Sequence, residues 1–228
     1  MFEYKYPHPA VASDCIIFGF DGNRLKVLLI ERGQEPFKGK WAFPGGFMNI
    51  DETAEECAKR ELYEETGLKT AFVEQIQAFT AVNRDPRERV ISIAFFALVK
   101  MEEVKGGDDA AKAQWFTLNE IPPLAFDHEL ILNTAIAKLK EKIHFEPIGF
   151  ELLPEVFTMS QLQNLYEEIL GVKFDSRSFY KKMNVMNLLT PVEMSEDNTS
   201  SRITPQYRFN KANYENSKKK GFLLDFSE

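Results

Sequence analysis

Hydrophobic spacing divides the chain into two differently patterned stretches. In the first, CIIFGF (Cys15–Phe20) and LKVLLIER (Leu25–Arg32) flank the turn cluster Asp21-Gly22-Asn23 and predict a β-hairpin. QIQAFTAV (Gln75–Val82) and VISIAFFALV (Val90–Val99) predict two more strands, the second apolar nearly throughout and so buried on both faces. QWFTL adds a short strand. HELILNTAIAKLKEKI (His128–Ile143) places Leu132, Ala135, Ile136, Leu139 and Ile143 at helical spacing. A second helix is expected after Asp51, an N-cap residue type, and is stopped by Gly67. Strands interleaved with helices in this way predict an α/β class, a sheet covered on both faces by helices.

The pattern changes after EPIGF (Glu146–Phe150), which reads as a linker. SQLQNLYEEIL puts Leu162, Leu165, Tyr166, Ile169 and Leu170 on one stripe. After the turn GVKFD comes SRSFYKKMNVMNLL, with Phe179, Met183 and Met186 facing inward. Strand-like LLTPVEM, a polar turn SEDNTSS and QYRF follow. Helix, short turn, helix and hairpin is the layout of a winged helix-turn-helix. The expected division is therefore residues 1–145 and 146–228.

One helix breaks its own pattern. From Ala54, the inward positions are Ala54, Cys57, Ala58, Glu61, Leu62 and Glu65. Two glutamates stand where the apolar stripe should continue, and Glu64 shares their arc of about 100°. An acidic run on a helix is most often a solvated face. Here the acids share a stripe with small apolar residues, between Gly46 and Gly67. Clustered carboxylates repel, and burying an unpaired one costs several kcal/mol. A hard divalent cation compensates and leaves an open side for phosphates. Arg60 has the spacing to tie Glu52 to the helix through a bidentate pair.

Gly46, Glu52 and Arg60-Glu61-Leu62-Tyr63-Glu64-Glu65-Thr66-Gly67-Leu68 match the Nudix box at every specified position, so the stretch resembles the Nudix hydrolase superfamily. The resemblance implies a Nudix α/β/α sandwich with a mixed sheet. It implies Mg²⁺ or Mn²⁺ held by Glu61, Glu64 and Glu65 with the Gly46 carbonyl nearby, and structural roles for Glu52, Arg60 and Gly67. It also implies hydrolysis of a nucleoside diphosphate linked to another group, with ADP-ribose as the type of substrate. Cation-assisted attack of water on phosphorus, with a carboxylate taking the proton, is the chemistry expected.

Outside the box, NRDPRER holds Arg84, Arg87 and Arg89 in a turn, either facing the ligand or capping a hairpin. Trp41 is a candidate for stacking on a base, whereas Phe43 reads as core. His128 reads as a packing or capping element at a helix start. The run NRDPRERVISIAFFALV, the phrase LAFDHELI and the helix-turn-helix tail together resemble Nudix-related transcriptional regulators. That resemblance spans nearly the whole chain. It implies binding of ADP-ribose or another small metabolite, including a sugar, and the alternative that the domain senses its effector without turnover. The box is intact here, unlike the degraded boxes of several members.

Charge sharpens the reading of the tail. The chain of 228 residues carries a net charge of −7, yet Lys173–Lys220 holds ten Lys and Arg against five Asp and Glu. A basic segment in an acidic protein is compatible with a polyanion. In a winged helix the second helix enters the major groove of double-stranded DNA, usually as a homodimer on two half-sites. Its outward residues are Arg177, Ser178, Tyr180, Lys181 and Lys182, with Arg177 the base-reading candidate. Lys181, Lys182, Arg202 and Lys211 are expected on phosphates. Two cysteines, no signal pattern and no long apolar run predict a reducing, cytoplasmic setting.

Overall fold

The computed structural model describes residues 4–69, 72–101, 110–192 and 204–219. The chain folds as two compact units. One comprises residues 1–19 and 26–138; the other comprises residues 20–25 and 139–228.

The first unit is organised on β1 (Ala10–Phe20), whose run from Ser13 is buried on both faces. Around it stand β2 (Leu25–Arg32), β3 (Trp41–Ala42), β4 (Gly45–Phe47), β5 (Val73–Phe79), β6 (Val90–Leu98) and β7 (Ala110–Thr117). Together they form a mixed seven-stranded sheet with the order β3-β2-β1-β6-β5. β4 pairs with β1 and β7 with β2 off that path. β1 and β6 run parallel, with Cys15 opposite Phe95. That pairing explains the near-continuous apolar sequence of both strands.

Helix α1 (Ala54–Thr66) lays Ala58 and Leu62 on the sheet against Cys15, Ile17, Leu28 and Phe95. Its N-cap is Thr53, not the expected Asp51. The Thr53 hydroxyl accepts the Glu56 N–H while the Glu56 carboxylate accepts the Thr53 N–H, a closed capping box that Asp51 has no means to make. Gly67 ends the helix at φ 73°, a left-handed conformation in which its N–H reaches Tyr63 O. Helix α2 (His128–Ile143) follows the predicted bounds.

The second unit takes the end of α2 and the turn Phe20–Leu25, where Arg24 pairs with Glu168 at 3.2 Å. Ile148–Leu152, which overlaps the expected linker Glu146–Phe150, forms a 3-10 helix with Ile148 and Gly149 buried. Short β8 (Phe157–Thr158) leads into α3 (Met159–Leu170), and α4 (Ser176–Met186) follows after a turn at Gly171 (φ 75°). β9 (Leu189–Pro191) and β10 (Gln206–Phe209) complete a three-stranded sheet of order β8-β10-β9. Helix α5 (Lys211–Lys218) is an element that the sequence pattern does not announce. The expected turn SEDNTSS and Arg202 lie outside the described residues. No helix among the described residues is long and apolar enough to cross a membrane.

Candidate functional site

A cavity of about 250 Å³ opens in the first unit, and Gly45, Gly46, Glu61 and Glu65 form part of its wall. β4 is held against β1 with Gly45 opposite Asp14 and Gly46 opposite Ser13. The Gly45 N–H donates to Glu65 Oε2 at 2.9 Å, which fixes a buried carboxylate at the end of the apolar stripe of α1. Gly46 lies so near Glu61 that a Cβ there would sit 2.2 Å from Oε1. Burial pushes the Glu61 carboxyl above its ordinary value, with Arg60 opposing the shift.

Arg60 organises the loop before α1. Its Nε and Nη2 donate to the two Glu52 oxygens at 3.0 and 2.7 Å, and Nη2 also reaches Phe47 O at 3.2 Å. Those bonds hold the Glu52 carboxyl down to about 2. Nη1 donates to both Glu61 Oε1 (2.7 Å) and Glu64 Oε2 (3.0 Å). Glu64 is drawn to the surface side of the helix, where its side chain is 47% exposed. Among the described residues no three His, Cys, Asp or Glu side chains converge as a metal-holding group. The expected trio is thus divided, with Glu61 and Glu65 on the cavity and Glu64 on Arg60.

The opposite wall carries arginines and aromatic rings. Arg84 is buried, with Nε and Nη2 on the two Asp127 oxygens at 3.0 and 2.7 Å and Nη2 3.5 Å from Asp14. Arg87 is bidentate to Asp85 at 3.0 and 2.7 Å. Burial would raise Asp85, but the hydrogen bonds from Arg87 outweigh it and hold the carboxyl low. The Arg87 guanidinium lies over Phe47 at 5.2 Å and Phe126 at 5.8 Å. Arg32 lies over the Phe126 ring at 4.8 Å. His128 is buried and stacked on Phe43, and its Nδ1 accepts the Phe43 N–H at 3.0 Å. Burial lowers its pKa, and because Nδ1 accepts, the ring proton is assigned to Nε2, 3.7 Å from Asp14. Trp41 lies off this wall, edge-on to Phe116 at 4.8 Å and beneath Lys112. Both thiols are buried, and burial pushes Cys15 up to about 12 and Cys57 up to about 11, away from thiolate formation.

In the second unit a buried carboxylate sets the turn between α3 and α4. Glu167 accepts from Gln163 Nε2, Lys173 Nζ and the Phe174 N–H. Burial would raise this group, but those three donors hold it below the usual carboxylate range. Phe179 and Met183 are buried on the inner face of α4, Phe179 edge-on to Tyr166 of α3. The outer face is fixed as a result. Arg177, Ser178, Tyr180 and Lys181 are exposed, and Lys182 is half-buried. Ser178 is turned back onto Asp175, the N-cap of α4, through both its hydroxyl and its N–H. Tyr180 is engaged with Asn184 and Tyr207.

The NUDIX domain family matches residues 8–137. The chain belongs to the Nudix family. A second family, the NrtR DNA-binding winged helix domain, matches residues 149–209. The chain is 33% identical over 215 residues to the "ADPR responsive transcriptional repressor NtrR" of Acinetobacter baylyi, covering 92% of this chain and 86% of that protein. It is 49% identical over 128 residues to the "ADP-ribose pyrophosphatase" of Methanocaldococcus jannaschii, covering 56% and 73%. The crystal structure of Shewanella oneidensis NrtR complexed with a 27mer DNA superposes with a TM-score of 0.75 at 26% identity, covering 90% of this chain and 95% of that one. The architecture is a mixed α/β Nudix fold followed by a winged helix.

The Nudix cavity brings together Gly46, Glu61, Glu65, Arg84 and Arg87 of the residues singled out in the sequence. It leaves Trp41 and Glu64 outside its wall. Asp14, Arg32 and Phe126, which do line it, carry little sequence signal. The signal at Asp14 is a carboxylate at the start of an apolar strand, which needs partners once buried. Ser92 and Arg84 supply them.

Proposed function

We propose that this protein is a DNA-binding transcriptional regulator whose Nudix unit binds and hydrolyses an ADP-ribose-like nucleoside diphosphate with Mg²⁺ or Mn²⁺. The observation that carries this reading is an intact box whose Glu61 and Glu65 face the same cavity as three arginines. Acids for a cation and bases for phosphates on one cavity suit a diphosphate.

The donor set fits a hard cation. Glu61, Glu65 and Gly46 offer only oxygens, Glu64 stands one turn from Glu61, and the burial that raises Glu61 is relieved by positive charge. Such a cation, when bound, supplies charge neutralisation to the diphosphate and makes water more acidic. Arg60 keeps Glu52 and Glu61 in place through its hydrogen bonds. Water adds to one phosphorus, the bond from that phosphorus to the bridging oxygen breaks, and Glu61 Oε2 takes the proton. ADP-ribose would yield AMP and ribose 5-phosphate. In the other unit, Arg177 reads a base edge while Lys181 and Lys182 hold phosphates, with a homodimer spanning two half-sites.

The related reading is sensing without turnover. Arg60 bridging Glu61 and Glu64 favours it, because that bridge competes with cation binding. One experiment separates them. Purified full chain is incubated with ADP-ribose and Mg²⁺ or Mn²⁺, and a gel shift on its own upstream DNA is run at fixed salt, with and without ADP-ribose. Release of AMP, lost in Glu64→Gln, establishes hydrolysis. Intact ADP-ribose with a shifted DNA affinity establishes sensing. Neither turnover nor a DNA complex would remove the proposal.

A further inference from the structure

Three arginines line the Nudix cavity, and their partners differ. Arg84 gives its Nε and Nη2 edge to Asp127, with Asp14 3.5 Å from Nη2. Arg87 is matched one-to-one by Asp85. Arg32 is half-buried at the end of β2, yet no carboxylate of the described residues forms an ion pair with it. Its Nε donates to Pro36 O at 2.8 Å, and its guanidinium lies 4.8 Å from the Phe126 ring centroid. Phe126, in turn, has φ 51°, a left-handed backbone conformation that a bulky residue adopts only when its surroundings demand it. The ring has two guanidinium groups near it, Arg32 at 4.8 Å and Arg87 at 5.8 Å. Bringing two cations together and burying one of them costs free energy: burial and Arg87 depress the pKa of Arg32, and the more distant Glu65, Asp85 and Asp14 offset this only in part. A cation so placed, without an ion pair of its own, is free to take an anionic ligand.

We propose that Arg32, oriented by Pro36 and Phe126, is the principal phosphate-binding residue of the cavity, its two Nη groups donating to a phosphate oxygen of the bound nucleoside diphosphate. This rests on the diphosphate reading given above. It ranks Arg32 above Arg84, whose Nε and Nη2 edge is engaged by Asp127 and Asp14. A planar fork suits a phosphate better than a lysine does, so the geometry of the group matters as well as its charge.

The test is calorimetric titration of the full chain in EDTA with two probes, ADP-ribose and inorganic pyrophosphate, on wild type, Arg32→Gln and Arg32→Lys. A charge-assisted hydrogen bond predicts a Kd about tenfold to a hundredfold higher for both probes in Arg32→Gln, with Arg32→Lys between. Arg24→Gln, in the other unit, serves as the charge control and keeps wild-type affinity. With Mg²⁺ and ADP-ribose, KM rises and kcat stays within about threefold. Thermal unfolding of each variant identifies any folding defect. If Arg32→Gln, folded, binds both probes like wild type, or if Arg24→Gln weakens binding equally, the assignment is overturned. Arg32-dependent binding of pyrophosphate without any binding of ADP-ribose would leave the subsite standing and sink the ADP-ribose reading. Wild type that binds neither probe would overturn both.

Discussion

Gly46 touches Glu61 where no side chain at position 46 would fit: a Cβ would lie 2.2 Å from Oε1 and 2.5 Å from Cδ. The neighbouring Gly45 is crowded differently, since a Cβ there would lie 2.4 Å from the Ser13 carbonyl oxygen and 2.9 Å from the Asp14 Cα. One clash meets the end of a movable side chain, the other meets backbone. Gly46→Ala is therefore expected to displace Glu61 and lower hydrolysis by about a hundredfold with little loss of thermal stability. Gly45→Ala is expected to destabilise by about 1–3 kcal/mol through forced strand displacement. Paired kinetics and melting curves on the two variants check both halves, and equal effects on stability would contradict the contrast.

Acid should weaken the Nudix unit through Glu52. Its folded pKa is depressed to about 2 from an ordinary 4.5, so the stabilisation is present above the ordinary value and is lost as pH falls from there toward 2. The Glu52 side chain is 12% exposed and that of Arg60 28%, so screening reduces the contribution to about 2 kcal/mol. Glu52→Gln should flatten the stability profile between about pH 5 and pH 2, by about that amount. Urea unfolding at several pH values reads the slope; parallel profiles for the two proteins would count against the assignment.

Glu167 is the corresponding anchor in the winged-helix unit. Glu167→Ala leaves the Phe174 N–H without its acceptor, while Lys173, 83% exposed, returns to water. A cost of about 1–3 kcal/mol is expected, dominated by the orphaned amide. Because the turn positions α4, DNA affinity should fall along with the melting temperature, and Glu167→Gln, which keeps an acceptor, should recover part of both.

On α4, Arg177 and Lys181 should separate by salt and by sequence. Arg177→Ala is expected to cost about 1–3 kcal/mol and relax preference at one base pair. Lys181→Ala should weaken all sequences about equally and reduce the salt slope by about one. Fluorescence anisotropy on specific and scrambled duplexes at several salt concentrations measures both; identical behaviour would remove the base-reading role of Arg177.

Legibility in the sequence follows locality. The box is readable because Glu52, Arg60 and Glu61 act over one loop and two helical turns, where spacing alone fixes geometry. The cap falls two residues from its expected place because Asp51 and Thr53 are both good cap types and only the reciprocal Glu56 bond chooses between them. The buried network of Asp14, Arg84, Asp127 and His128 joins three separate stretches of the chain, so no local pattern announces that Arg84 is already occupied. Arg32 has the sequence signature of the polar end of a strand, and only the aromatic ring beside it in space marks it out.

The turn at Phe20–Leu25 groups with the carboxy-terminal unit although both strands that it joins belong mainly to the amino-terminal one. Within that unit, Arg24 donates to Glu168 at 3.2 Å and the Leu25 amide reaches the same carboxylate at 3.4 Å. The carboxy-terminal unit is thus discontinuous in sequence, with the hexapeptide Phe20–Leu25 as its outlying segment.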